Sequence, residues 1–321
     1  MKLLAAVAQT ASVLLDTPAT VGKAIDLMAK AASDGVQLLV FPEAYIGGYP
    51  KGADFHIYIG ARTPMGRAEY KRYFDAAVSM DGPEIASLAQ AAAQHQLYVV
   101  VGIIERDGGT LYCTAVYLGP DGQVLGKHRK LMPTALERLV WGFGDGSTLK
   151  AVDTPWGKLG AVICWENYMP ALRMAMYQQR VTIYCAPTAD DRDSWASTMT
   201  HIAMEGRCFV LSACQHLRRS QFPDDQMHNA IEGGADTVLM RGGGLIVDPL
   251  GRVLAGPVYN EDALIKAELD LSMIPSAQMD FDPVGHYARP DVFSLHVNIA
   301  PQRAVFFDDG SDSKAGRFLS H

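Results

Sequence analysis

Residues 3–41 read LLAAVAQTASVLLDTPATVGKAIDLMAKAASDGVQLLVF, and their rhythm decides the fold class. Leu3–Gln9 is a short apolar run, Thr17-Pro18 opens a helix whose apolar positions recur to about Ala32, and Val36–Phe41 is a second buried strand. Strand, helix and strand in direct succession mean α/β layering. Lys2 ahead of Leu3–Ala8 imitates a signal peptide only faintly. The apolar run falls short of the roughly 7–15 residues of an h-region, and Gln9-Thr10 interrupts it, so a first strand is expected.

The same alternation continues along the chain. A helix is predicted over Glu84–Gln96 after Asp81-Gly82-Pro83, then strands near Leu97–Ile104 and Leu111–Leu118. Further helices are predicted over Met169–Gln179 and Ser194–Gly206, each followed by a strand ending at a cysteine. Three turns share one design: Pro120-Asp121-Gly122, Pro155-Trp156-Gly157 and Pro249-Leu250-Gly251. Proline presets the first turn position and glycine takes the left-handed one, the chemistry of a hairpin between antiparallel strands, so mixed sheets are expected. No Ser/Gly-rich or Pro-rich linker divides these segments. One domain over residues 1–305 follows, with Arg218–Ala235 as a polar surface loop and a mobile tail over 306–321.

The chain has 321 residues, 49% of them hydrophobic and 20% charged, enough for a large buried core and too apolar for disorder. Its formal net charge is −7, with no Lys/Arg block, which argues against nucleic acid and anionic membrane as partners. No apolar run approaches the roughly 20 residues of a bilayer span. Five cysteines, odd in number and without CxxC spacing, fit neither a disulfide framework nor a zinc knuckle and point to a reducing cytoplasm.

Cys164 stands out because Leu159–Cys164 reads as a buried strand with Trp165-Glu166-Asn167 and a helix directly after it. A thiol at such a junction is held stiffly, near backbone N–H groups able to receive an oxyanion. Buried cysteines are more often inert packing, the reading given to Cys113, Cys208 and Cys214, and Cys185 also ends an apolar strand. A thiol nucleophile needs a base and a positive charge. Glu43, at the end of the strand VQLLVFPE, can supply the first if buried and is otherwise a solvated loop acid. Lys130, after the Pro120 turn, can supply the second and is otherwise a surface lysine. Glu137 can orient Lys130 or a water, or merely pair with Arg138. Histidine commonly partners a catalytic cysteine, so His128, His201 and His216 stay open as rivals, although His201 and Glu205 are spaced as a helix-surface pair. No metal set is expected: HExxH is absent, Gly122–Lys127 is too short for a phosphate loop, and Gly242-Gly243-Gly244 precedes a strand.

Three segments, FPEAYIGGYP from Phe41, HRKLMPTALERLVWGFGDGS from His128 and CWENYMP from Cys164, resemble the nitrilase superfamily in order and separation, and its true nitrilase branch in particular. The resemblance runs from about Val7 to Leu295 and includes IYCAPTAD, HIAMEGRCFVLSACQ and DPVGHYARPDV. It implies a four-layer α-β-β-α sandwich, with Cys164 as nucleophile, Glu43 as general base, Lys130 as the charge-stabilising ammonium and Glu137 as a further acid, and no role for histidine. It implies hydrolysis of a small-molecule nitrile to acid and ammonia through a cysteine thioimidate and thioester, without cofactor or metal. The alternative is an amidase with the same triad; Trp165-Glu166-Asn167 after the cysteine favours nitriles. Tyr49, Trp141, Trp165, Pro187, Thr188 and Trp195 flank the motifs and are expected pocket walls. A homodimer or larger helical homo-oligomer is implied, paired through the helices that carry Met174, Ala175, Met176, Ile202 and Ala203.

Overall fold

The computed structural model describes residues 1–305. The tail expected over 306–321 lies outside them. In chain order the elements are β1 Lys2–Gln9, α1 Thr17–Ser33, β2 Leu38–Val40, β3 Ile57–Tyr58, β4 Ala61–Arg62, α2 Pro64–Ala76 and α3 Pro83–His95. Then come β5 Tyr98–Asp107, β6 Thr110–Leu118, β7 Val124–Arg129, β8 Val152–Thr154, β9 Gly157–Ala161, α4 Pro170–Gln178 and β10 Val181–Cys185. The last are α5 Asp193–Gly206, β11 Phe209–Ser212, β12 His216–Arg218, β13 Val238–Val247, β14 Val253–Tyr259, β15 Ala263–Asp270 and α6 Met273–Asp280.

One sheet runs β15-β1-β2-β5-β6-β7 and the other β12-β13-β11-β10-β9-β8, with β14 on β13. Parallel pairs (β1/β2, β2/β5, β9/β10, β10/β11) sit at the centres, and antiparallel hairpins extend the edges. All three Pro-Gly turns close antiparallel pairs, with Gly122 at φ 78°, Gly157 at φ 99° and Gly251 at φ 86°. The left-handed conformation that each glycine was expected to supply is the one it adopts.

Side-chain parity builds the layers. Leu3, Ala5 and Val7 of β1 face the second sheet's Leu159, Ala161, Ile183 and Phe209 across a shared core. Ala6 and Ala8 point the other way, to Val21, Ala24 and Met28 of α1 and Leu88 and Ala92 of α3. The second sheet's outer face, with Tyr184, Val210 and Val247, is covered by Leu172 and Met176 of α4 and Met199 and Ile202 of α5. The result is α-β-β-α, as the resemblance implied. Helix starts follow from local chemistry: Asp16 caps α1 by accepting the Ala19 N–H at 3.0 Å, and α1, α2, α3 and α4 each carry proline in the first turn.

Several boundaries differ from expectation. The strand after α5 ends at Ser212 rather than at a cysteine; Cys208 precedes it and Cys214 follows it. Arg218–Ala235 is largely irregular, yet Phe222, Met227 and Asn229 are buried in it, so the segment packs down as a wall. Met176, Ile202 and Ala203 are fully buried within the chain's own layer, which removes most of the apolar surplus that pointed to a partner on α4 and α5. Among the described residues no helix is long and apolar enough to cross a membrane.

Candidate active site

Glu43, Lys130 and Cys164 all lie just past strand ends, where the backbone leaves the sheet and turns toward the seam between the two layers. Glu43 follows β2 by three residues. The chain there runs so close to β5 that a Cβ on Gly102 would overlap the Pro42 carbonyl and stand 2.7 Å from the Ala44 nitrogen, so the turn requires glycine beneath it. Lys130 comes directly after β7, its N–H donating to Cys113 O and its carbonyl accepting from Gly144 N, both at 2.8 Å. Cys164 lies beyond the end of β9, not within it, and opens a short 3₁₀ turn over Cys164–Tyr168. Its φ of 51° is left-handed, strain that the surroundings must hold. They do so through three polar contacts: Cys164 N–H donates to Pro187 O at 2.8 Å, Asn167 Nδ2 donates to Cys164 O at 2.8 Å, and Thr188 Oγ1 donates to Cys164 Sγ at 3.1 Å.

Burial excludes the bland readings of the acid and the amine, since Glu43 and Lys130 are each 1% exposed. Lys130 Nζ donates to Glu43 Oε1 at 2.6 Å and to Glu137 Oε2 at 2.7 Å. Glu137 is held on the 3₁₀ turn Ala135–Leu139 by the Thr134 N–H at 2.6 Å and takes the Tyr49 hydroxyl at 2.7 Å. Its partner is therefore Lys130 and not Arg138. Two carboxylates share one ammonium, and the second oxygen of Glu43, Oε2, is buried with no hydrogen-bond partner. An unpaired buried carboxylate oxygen is costly unless it is there to receive a proton.

The electrostatics agree. Burial raises the Glu43 carboxyl above its ordinary value, opposed by Lys130 and reinforced by Glu137. Burial would lower the Lys130 ammonium, but the facing Glu43, Cys164 and Glu137 more than reverse this and hold it charged. Burial pushes the Cys164 thiol up, the Glu43 charge adds to it, and Lys130 and Thr188 pull the other way. The resting site thus holds a neutral thiol beside a carboxylate of raised basicity, so the proton must be moved before the sulfur can attack.

The histidines go elsewhere. His128 Nε2 meets Glu166 Oε2 at 3.1 Å, His216 Nδ1 meets Asp262 at 2.8 Å, and His201 lies 3.6 Å from Glu205 on the helix surface. Glu166 also accepts Leu131 N–H at 2.6 Å and Ile163 N–H at 2.9 Å, tying the chain after Lys130 to the chain before Cys164. Sequence reasoning missed that brace. It also missed Cys113, read as core, whose Sγ is 3.6 Å from Glu43 Oε1. Strand parity carried the signal, since Leu111, Cys113, Ala115 and Tyr117 all face the inter-sheet core.

A cavity of about 420 Å³ opens over Glu137, with Tyr49, Leu136 and Trp141 in its wall; Cys164 is not on its lining and is 4% exposed. Tyr49 meets Trp141 edge-on at 5.8 Å. Pro187 and Thr188 touch Cys164 itself, as given above. Trp165 is 41% exposed, its Nε1 donating to Asp190 at 2.9 Å. Trp195 is not placed as a wall: it is 2% exposed in the layer under α4 and α5, its Nε1 donating to Ser212 Oγ at 2.9 Å, so its indole is structural. Flanking a motif in sequence put it near the site; the helical face it occupies turns it away.

The thiol, carboxylate and ammonium are buried together behind Glu137, the member of the cluster that lines the cavity, and among the described residues no histidine is one of their polar partners. The family model for carbon-nitrogen hydrolases matches residues 4–279. An aliphatic nitrilase of Sinorhizobium fredii is 62% identical, over 95% of this chain and 98% of its own length. A bifunctional nitrilase/nitrile hydratase of Lupinus angustifolius is 54% identical over 96% of this chain and 89% of its own. Among solved structures, the carbon-nitrogen hydrolase of Helicobacter pylori matches with a TM-score of 0.71 at 19% identity, covering 91% of this chain and 97% of that one, a likeness of fold. The chain belongs to the carbon-nitrogen hydrolase family, in its nitrilase branch.

Proposed function

We propose that this nitrile hydrolase works through Glu43, Lys130 and Cys164, with Glu137 and Tyr49 fixing the ammonium. The observation that carries the reading is the unpartnered, buried Oε2 of Glu43 beside a neutral thiol. Glu43 takes the thiol proton as Sγ bonds to the nitrile carbon; the nitrogen gains the proton, giving a thioimidate. Charge developing on nitrogen is met by Lys130 and by the Trp165 backbone N–H, which lies in the first turn of its 3₁₀ helix and has no acceptor within it. Water adds, ammonia leaves and a thioester remains. A second water, deprotonated by Glu43, frees the acid and returns the proton to sulfur. The sum is one nitrile and two waters to one acid and one ammonia, and no step calls for a cofactor or metal.

Loss of the thiol from the first tetrahedral adduct would release amide, and the lupin relative's name records both outcomes for that protein. The amidase reading keeps the same residues and starts from a carboxamide. The aromatic wall of Tyr49 and Trp141 and the name of the Sinorhizobium fredii relative favour medium aliphatic and arylaliphatic nitriles. A panel of nitriles and matching amides, assayed for ammonia, acid and amide, tests this. Turnover of the amides but not the nitriles would overturn it.

We also propose that the enzyme acts as a single catalytic domain, as a homo-oligomer and in the cytoplasm. Phe293 and Ile299, in the extended stretch beside α4, stand 77% and 68% exposed, an apolar surface suited to a second copy. Five buried, unbonded cysteines suit a reducing compartment. Light scattering giving a monomer, or fractionation placing the native protein outside the cytoplasm, would refute the respective reading.

A further inference from the structure

Two segments beside the cavity, the 50–57 loop and the stretch after β12, bring together a second cluster of chemistry-bearing side chains, none of which the nitrile reaction uses. Asp54, His56 and His228 each offer one ligand atom, all within 4.8 Å of one another. His228 Nδ1 is 3.1 Å from Asp54 Oδ2, and the two rings lie 5.1 Å apart. Behind them stands Glu69. Its Oε1 is 3.1 Å from His56 Nε2 and accepts the His228 backbone N–H at 2.9 Å. Glu69 is 6% exposed, and its other oxygen, Oε2, is buried with no hydrogen-bond partner. An unpaired carboxylate oxygen in a buried position is costly, and a nearby cation would offset that cost.

We propose that Asp54, His56 and His228 form a binding site for a divalent transition-metal ion of the zinc type, with Glu69 as the carboxylate that orients His56. Two imidazoles and a carboxylate are donors for zinc and its neighbours, whereas magnesium and calcium ask for oxygen. A carboxylate behind an imidazole is how ligating histidines are aimed: with Nε2 held by Glu69, Nδ1 is left for the ion. Donors around zinc stand about 3.3 Å apart when each is 2.0–2.1 Å from the metal, so the widest pair of the cluster must draw in by up to about 1.5 Å. His228 has the freedom to do so, being half-exposed on the irregular segment after β12. A fourth position stays open to water.

The location gives the ion a task. Asn229 Nδ2 donates to Lys51 O and Ala230 N–H to Gly52 O, both at 2.8 Å, so this segment already leans on the 50–57 loop. Lys51, Gly52, Asp54, Phe55 and Ala230 all line the cavity. A metal shared by Asp54, His56 and His228 would rivet the two pieces of wall together. The ligands come from positions 174 residues apart, which is why no spacing in the sequence reveals them.

The rival state is two histidine–carboxylate ion pairs and no metal, and titration separates the two. Metal-stripped protein titrated with Co²⁺ should bind one ion per chain with visible d–d bands that Zn²⁺ displaces. Zn²⁺ at tenfold excess over its Kd should raise Tm by about 2–4 °C. Both signals should vanish in His228→Ala and in His56→Gln, and both should persist in Cys164→Ala, which removes the other soft ligand. Absence of bands and Tm shift in the wild type, persistence of both in the histidine variants, their loss in Cys164→Ala, or an equal response to Mg²⁺ would each overturn the proposal.

Discussion

Removing the ammonium from the site tests the electrostatic argument most directly. In Lys130→Met the flexible stem is largely kept, so packing changes little, but the buried Glu43 loses its 2.6 Å partner and is left with the like charge of Glu137. Breaking a buried pair by deleting one partner costs about 3–5 kcal/mol, against about 1 kcal/mol for an exposed one. For a chain of 321 residues that lowers Tm by roughly 4–7 °C at pH 7. The loss depends on pH in a definite direction. Glu43 already has a raised folded-state value, and losing Lys130 raises it further. A carboxyl whose folded value is raised favours the protonated native state, so its stabilising contribution is present at low pH and lost as pH rises through the folded value. The Tm gap between Lys130→Met and the wild type should therefore narrow as pH falls from 7 toward 5, and the double variant Glu43→Gln/Lys130→Met should recover most of the loss. Thermal melts followed by circular dichroism across that range make the measurement. A gap independent of pH, with no rescue in the double variant, would show that Lys130 and Glu43 are not coupled as described.

Cys164→Ala should abolish turnover with Tm close to the wild type, and a slow nitrile should leave an adduct on the peptide holding Cys164; an adduct on Cys185 would displace the assignment. Glu43→Gln should slow turnover by about 100-fold or more, and the acid limb of the wild-type kcat/KM profile should lie above the ordinary carboxylate range, because burial raises this group and only its ionised form accepts the thiol proton. A limb at ordinary Glu values would contradict the burial argument. Trp195→Ala should cost about 3–5 kcal/mol of stability, read by denaturant melts, without reordering the preference among nitriles, since the indole fills the α4/α5 layer. Ala175→Asp, on the apolar surface beside the extended 293–299 stretch, should lower both the assembled mass in light scattering and the activity.

Where sequence and structure agree, the signal was local. Gly122, Gly157 and Gly251 take positive φ because tight reversals between antiparallel strands demand it, and a Pro-x-Gly triplet states that demand within a few positions. Glu43, Lys130 and Cys164 were legible as residue types in motifs, although parity and period placed each at a strand end while the backbone had already left the sheet. What escaped reading depends on facing. Cys113 and Trp195 both sit in apolar runs, and only the packing of layers turns the first toward Glu43 and the second away. Likewise Glu166 looked like part of a nucleophile motif; its role as a brace between Leu131 and Ile163 needs the two sheets to be stacked.

On the proposed mechanism, the walls of the cavity and the reacting groups belong to different parts of the molecule. Tyr49–Phe55, Thr134–Trp141 and Ala230 come from loops, while Glu43, Lys130 and Cys164 are anchored where strands end. Glu137 lies in both, lining the cavity and gripping Lys130. Loop sequence can therefore drift, lengthen or be exchanged to admit new nitriles while the reaction itself is left alone, provided the short turn carrying Glu137 keeps its hold. Diversity of diet and constancy of chemistry meet at one carboxylate.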